Sequence, residues 1–145
     1  MIKIRKFLLS DLPEVMEIEK VSFPQPWPET YLKKLYKERV QDFLVAEVSR
    51  KVVGYILGYV KPDKSGSIKT LAVAPDYRRQ GIGKKLVNFI IQKLKKKGIK
   101  EIFLHTRIKN RVASSFYKKL GFRTIKIIKR YFQNGEDAYL MRKEL

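Results

Sequence analysis

The segment richest in chemistry is Leu71-Ala72-Val73-Ala74-Pro75-Asp76-Tyr77-Arg78-Arg79-Gln80-Gly81-Ile82-Gly83-Lys84. An apolar run passes into a basic turn holding two spaced glycines, and the turn opens a long amphipathic stretch. The first N–H groups of a helix lack intrahelical acceptors and sit at the positive end of its dipole, so such a turn can receive an anion. Gly81 and Gly83 would let the backbone approach a phosphate closely, and Arg78, Arg79 and Lys84 add charge. Taken alone, the pattern also describes an ordinary strand-to-helix turn with solvated arginines. Two familiar phosphate loops do not fit. Gly81-Ile82-Gly83-Lys84-Lys85-Leu86 lacks the third glycine of a dinucleotide fingerprint and lies mid-chain. Lys85 stands where a Walker loop needs a hydroxyl, which argues against magnesium–nucleotide chemistry.

Composition narrows the chemistry further. The 145 residues include no cysteine and one histidine, His105. Disulfide frameworks, thiolate zinc sites, iron–sulfur clusters, a cysteine nucleophile and a multi-histidine metal site are thereby excluded, and no metal is expected. Basic residues number 33 against 14 acidic ones, a formal charge of +19. Such an excess suits an anionic partner, whether nucleic acid, a ribosome surface or a phosphate-rich cofactor. It equally suits the lysine-rich surface of a thermophile, and lysines scattered along helix faces favour that second reading. A chain of this length is expected to form one domain, residues 1–145, burying roughly two-thirds of its unfolded surface. No apolar run approaches the ~20 residues of a membrane span. The opening Met1-Ile2-Lys3-Ile4-Arg5 alternates like a strand rather than a signal peptide, so a soluble cytoplasmic protein is expected.

The elements that must position the loop follow from periodicity. Ile2 to Arg5 reads as a strand, and Ser10-Asp11 as the cap of a helix carrying Leu12, Val15, Met16 and Glu19 at helical spacing, with Pro13 in its first turn. Three prolines keep the segment from Ser22 to Pro28 irregular. A second helix presents Tyr31, Leu32, Leu35 and Tyr36. Phe43 to Val48 and Val52 to Lys61 form a hairpin turning at Arg50-Lys51, and Ile68 to Ala74 a further strand. Gly81 to Lys97 is the clearest helix, with Ile82, Leu86, Ile90 and Leu94 at every fourth position. Ile102-Phe103-Leu104 reads as a strand covered on both faces. A short helix from Asn110 to Leu120 ends at Gly121, and strands from Arg123 to Lys129 and Ala138 to Arg142 flank Asn134-Gly135. Strand–helix–strand around the long helix implies a parallel pair with a right-handed crossover in an otherwise antiparallel sheet. The class is α+β.

Arg-x-x-Gly-x-Gly, here Arg78 through Gly83, resembles the pyrophosphate loop of the GNAT acetyltransferases. A second block, Asn110 to Phe122, carries Asn, then Ala three on, Tyr seven on and Gly-Phe at the helix end, as that family does. Element order matches along essentially the whole chain: a mixed sheet of about seven strands, about four helices and a splayed parallel pair. Within the family the sequence resembles the ribosomal-protein and N-terminal acetyltransferase branch. Phe23-Pro24-Gln25-Pro26-Trp27 looks like its substrate loop, Tyr131-Phe132 like the aromatic pair of its late hairpin, and Asn134 to Met141 like the strand entry of archaeal members.

The resemblance implies direct transfer of acetyl from acetyl-CoA to a protein N-terminal α-amine, ribosomal proteins among the acceptors. Small amines, lysine side chains, or a basic RNA- or ribosome-binding role with a vestigial CoA site are the alternatives. It assigns the pyrophosphate to the backbone from Arg79 through Gln80, Gly81, Ile82 and Gly83 to Lys84, with Arg78 adding charge. Pantetheine falls along Leu71, Ala72 and Val73, and Asn110 lies near the cofactor or caps its helix. Tyr117 takes the place of the general acid, since a phenol with pKa near ~10 is protonated at neutral pH. His105 stands where bacterial relatives carry a glutamate base. Imidazole, near ~6.5, suits an α-amine of about 7.7–8.0 better than a lysine near ~10.4. A histidine there resembles the NatE-type branch, whose catalytic tyrosine one strand earlier is replaced here by Ser67, which leaves the second base unassigned. Phe23, Pro24, Trp27, Tyr31, Tyr131 and Phe132 would line an acceptor pocket suited to a large apolar first residue.

Overall fold

The computed structural model describes residues 1–38 and 41–145. Strands β1 (Ile2–Lys6), β2 (Gln41–Val48), β3 (Lys51–Val60), β4 (Gly66–Val73), β5 (Glu101–Arg107), β6 (Arg123–Ile128) and β7 (Ala138–Glu144) form one sheet ordered β1-β2-β3-β4-β5-β7-β6. Helices α1 (Leu12–Ser22) and α2 (Glu29–Glu38) pack on one face, and α3 (Ile82–Lys96) and α4 (Arg111–Lys119) on the other. Among the described residues the only parallel neighbours are β4 and β5, bridged by α3. The expected α+β class and mixed sheet are therefore observed.

Each face has its own core. The recurrent stripe of α3, with Ile82, Leu86, Ile90 and Leu94 fully buried, meets Ile56 of β3 and Ile102 and Leu104 of β5. Opposite, Leu12, Val15 and Ile18 of α1 and Leu32 and Leu35 of α2 cover Phe43, Tyr55 and Leu57. Burying such side chains from both faces contributes about 1.5–3 kcal/mol each. It fixes β3 and β4 as the shared floor on which the site stands.

Three local expectations are corrected. Asp11 occupies the N-cap of α1 but makes no capping hydrogen bond. Its carboxylate turns back to accept from the Leu8 N–H at 2.8 Å and from Arg5 at 2.8 and 2.9 Å. The β2–β3 turn sits one residue earlier than expected, with Ser49 and Arg50 at φ 50° and 67°. A two-residue hairpin turn wants both residues left-handed, so Lys51 begins the strand instead. Finally, β5 is not covered on both faces. Ile102, Leu104 and Thr106 are buried, while Phe103, His105 and Arg107 alternate onto a half-open face.

Candidate active site

The site begins where sheet pairing stops. Between β4 and β5 only Gly66↔Ile102 and Ser67↔Phe103 are in register, after which the strands diverge. Ala74 N–H donates to the Val53 carbonyl at 2.7 Å, and β4 pairs with β3 through Ala72 and Thr70. Alternation in an antiparallel ladder then turns the N–H groups of Leu71 and Val73 away from β3, into the opening. Val73 presents its carbonyl the same way, where it accepts from Arg78 Nε at 2.8 Å.

On the α3 side, the opening is lined by backbone. Pro75–Tyr77 forms a 3-10 turn, Arg79 sits at φ 63°, and Gly81 caps α3 at φ 82°. Only glycine adopts that last conformation freely, and no side chain among the described residues caps the first turn of α3. The Ile82 side chain is buried in the core, so this residue can offer only its N–H. Gly83 also has a packing role. A Cβ there would lie 3.2 Å from the Phe116 ring, so its bareness lets α4 close against α3. Asn110 is the N-cap of α4 and accepts from the Ala113 N–H at 3.1 Å. Tyr117 follows two turns on, buried edge-to-face between Phe116 and Phe122. Burial alone pushes its phenol well above the usual value, and its hydroxyl hydrogen-bonds to none of the described residues.

The opposite side of the opening is made of side chains. His105 stacks on Tyr131 with centroids 4.2 Å apart and planes 11° apart, and Tyr131 meets Phe132 edge-on. Burial, and then the charge of Lys61, lower the His105 pKa below its ordinary value, so the imidazole is neutral at pH 7. Arg107 lies 3.9 Å from the Phe132 centroid and donates to Glu136 at 2.8 Å, Asn134 at 3.1 Å and Gln25 at 3.4 Å. One guanidinium thus ties the β6–β7 loop to the segment between α1 and α2. Trp27 and Tyr31 pack with centroids 4.7 Å apart and planes tilted by 32°, while Phe23 and Tyr31 also rest on the α1–α2 core. Pro24 is exposed beside them.

Sequence reasoning missed four residues on this side. Glu19 is buried and accepts from the Trp27 N–H at 2.8 Å and from the hydroxyls of Tyr55 and Thr70, which pins the irregular segment to the sheet. A carboxylate in register with Leu12, Val15 and Met16 was the available signal, because an acid on an apolar stripe must find donors. Lys69 extends over Trp27, Tyr31 and Tyr59 on this side of the opening. Its signal was a charge inside an apolar strand. Tyr59 lies in register with Ser67, so the phenol in this region comes from β3. Nothing in the sequence marks Arg107.

The acetyltransferase (GNAT) family model matches residues 12–122. The N-alpha-acetyltransferase of Sulfurisphaera tokodaii is 34% identical, the match covering 96% of this chain and 90% of that one. Among solved structures, Ard1 from Thermoplasma volcanium superposes with a TM-score of 0.94 at 27% identity, covering 99% of this chain and 97% of the other. The ribosomal-protein-S18-alanine N-acetyltransferase from Escherichia coli gives 0.88 at 28% identity, covering 99% and 94%. No helix among the described residues is long and apolar enough to cross a membrane.

Proposed function

The chain belongs to the acetyltransferase (GNAT) family, and from that premise we propose that its site transfers acetyl from acetyl-CoA to the N-terminal α-amine of proteins, in one ternary complex. The observation that carries this reading is the divergence of β4 from β5. It joins an anion-accepting backbone on one side to a neutral histidine and an aromatic wall on the other.

The residues present fit the cosubstrate. A buried phenol without a protein partner, strand N–H groups without a neighbouring strand, and a bare helix N-terminus are groups that a thiol, a pantetheine amide and a pyrophosphate would satisfy. The backbone from Arg79 to Lys84 would hold the phosphates. Pantetheine would take the place of the missing sheet partner along Leu71, Ala72 and Val73, and Asn110 would orient α4. Arg78, committed to Val73 and Ser22, braces the loop rather than reaching outward.

Acetyl-CoA supplies a thioester whose carbonyl the amine attacks, so that a C–N bond forms and the C–S bond breaks. His105 takes the amine proton, directly or through water, and its lowered pKa keeps it in the accepting form. Tyr117, whose raised pKa keeps it protonated, gives its proton to the departing sulfur. The N–H of Val73 faces the opening, where it can donate to the carbonyl oxygen as charge builds there. Phe23, Pro24, Trp27, Tyr31, Tyr131 and Phe132 receive the acceptor's first residues. Ribosomal-protein N-termini belong in the acceptor set by the relationship to the Escherichia coli enzyme.

Acetyl-CoA-dependent thiol release tests the reading. Peptides with a free N-terminus should be acetylated, and peptides blocked there but bearing free lysine should be inert. Equal rates on the two would overturn it.

A further inference from the structure

Lys69 is the residue on the acceptor side that the transfer chemistry leaves unused. The β3–β4 register passes from Leu57↔Thr70 to Gly58↔Ile68, so Lys69 is the extra residue of a β-bulge. A bulge re-aims a side chain, and this one projects toward the acceptor wall. Its Nζ stands 5.5 Å from the ring centroids of Trp27 and Tyr31 and 5.4 Å from that of Tyr59. Burial works against the charge, but the hydrogen bond with Tyr31 and the neighbouring Tyr59 and Tyr131 outweigh it, so Lys69 stays an ammonium.

That ammonium has aromatic faces around it and no acid. None of the ion pairs among the described residues includes Lys69. The two carboxylates that shape this side are already engaged. The Glu19 carboxylate is held by Tyr55, Trp27 and Thr70, and that of Glu136 by Arg107. A half-buried cation whose stabilisation comes only from π faces and phenols gains most from a carboxylate brought by a partner.

Resting on the N-terminal acetyltransferase reading, we propose that Lys69 is a specificity-determining residue that selects acceptors with Asp or Glu in their first two positions. A carboxylate there forms an ion pair with the caged ammonium, whereas its amide isostere offers that ammonium only a dipole and no countercharge. A basic side chain there meets the Lys69 ammonium, so the site also rejects by repulsion. Held protonated, Lys69 is not itself an acetyl acceptor.

The test compares kcat/KM on free-N-terminal peptides that begin Met-Glu, Met-Gln, Met-Leu and Met-Lys. The native chain should favour Met-Glu over Met-Gln by about tenfold, and Met-Lys should be poorest. Lys69→Met, which keeps the apolar stem in the cage, should bring the Glu-to-Gln ratio to about one, and Lys69→Glu should favour Met-Lys over Met-Glu. Thermal melting reports whether either variant folds. Independently of any variant, raising salt from about 0.05 M to 0.5 M should shrink the native Glu-to-Gln preference and leave Met-Leu unmoved. A native ratio of one, or a ratio unchanged in Lys69→Met or by salt, overturns the specificity role alone. If every free-N-terminal peptide is inert while acetyl-CoA still binds, the N-terminal reading fails, and this inference fails with it.

Discussion

The two sides of the β4–β5 opening are built from different materials. Toward α3 and α4 the lining is mainly backbone: the N–H groups of Leu71 and Val73, the left-handed Arg79 and Gly81, and the first turn of α3. Toward α1, α2 and the β6–β7 loop it is side chains, namely His105 against Tyr131, Arg107 against Phe132, and Lys69 among three rings. Backbone donors offer every acetyl donor the same geometry, which suits a ligand that never varies. Side chains can be exchanged without moving the strands, which suits an acceptor that differs between relatives. Arg78 physically links the two, donating to Val73 on one side and to Ser22, at the end of α1, on the other.

If that division holds, damage on the backbone side should lower rates for all acceptors alike. The largest effect is expected for Tyr117→Phe, which removes one hydroxyl from a buried ring and leaves the edge-to-face packing intact. Loss of a general acid costs about 10²–10⁴ in rate, so kcat should fall by about a hundredfold or more with little change in the KM for acetyl-CoA. Ratios between peptides should stay constant. An unchanged kcat would strip Tyr117 of the acid role. A smaller effect is expected for Gly81→Val, which forces a β-branched residue to φ 82°. The left-handed region costs ordinary residues about 1–2 kcal/mol, so the KM for acetyl-CoA should rise about tenfold, again without altering acceptor ratios. A change in those ratios would mean that the two sides are coupled, with Arg78 the first place to look.

The same division explains what could be read from the sequence. Backbone geometry is set by residues close together in the chain, so Arg78 through Gly83 and Asn110 through Phe122 carry the α3–α4 side as contiguous patterns. The seven-strand order and the parallel crossover were legible for a similar reason: each element announces its own period. The acceptor side draws on residues 19–31, 59–61, 69, 103–107 and 131–137, and no local pattern links them. Its aromatic residues were legible by type. Their organisers were not, because Glu19, Lys69 and Arg107 act through partners as many as 82 positions away. At Gly83 the pattern gives no sign of the Phe116 ring, which leaves no room for a side chain and comes from 33 positions further along.

The finest test of the comparison concerns a charge that never needs to touch the acceptor. Lys61 follows β3, with its ammonium 5.2 Å from the Phe103 ring, and it helps hold the His105 pKa down. A base must be unprotonated to work, so His105 should produce an acid limb in the kcat/KM profile below its ordinary pKa. Replacing Lys61 with Met removes a positive neighbour, which favours the imidazolium and raises the His105 pKa. The acid limb should therefore move to higher pH, with rates near neutrality lowered only modestly and the plateau at higher pH kept. Burial, the larger cause of the shift, remains in Lys61→Met, so the displacement should be partial. In Lys61→Met/His105→Gln the limb should be gone rather than moved. If Lys61→Met leaves the limb where it was, the titrating group is another one, such as the acceptor's own amine, and the base role of His105 is lost.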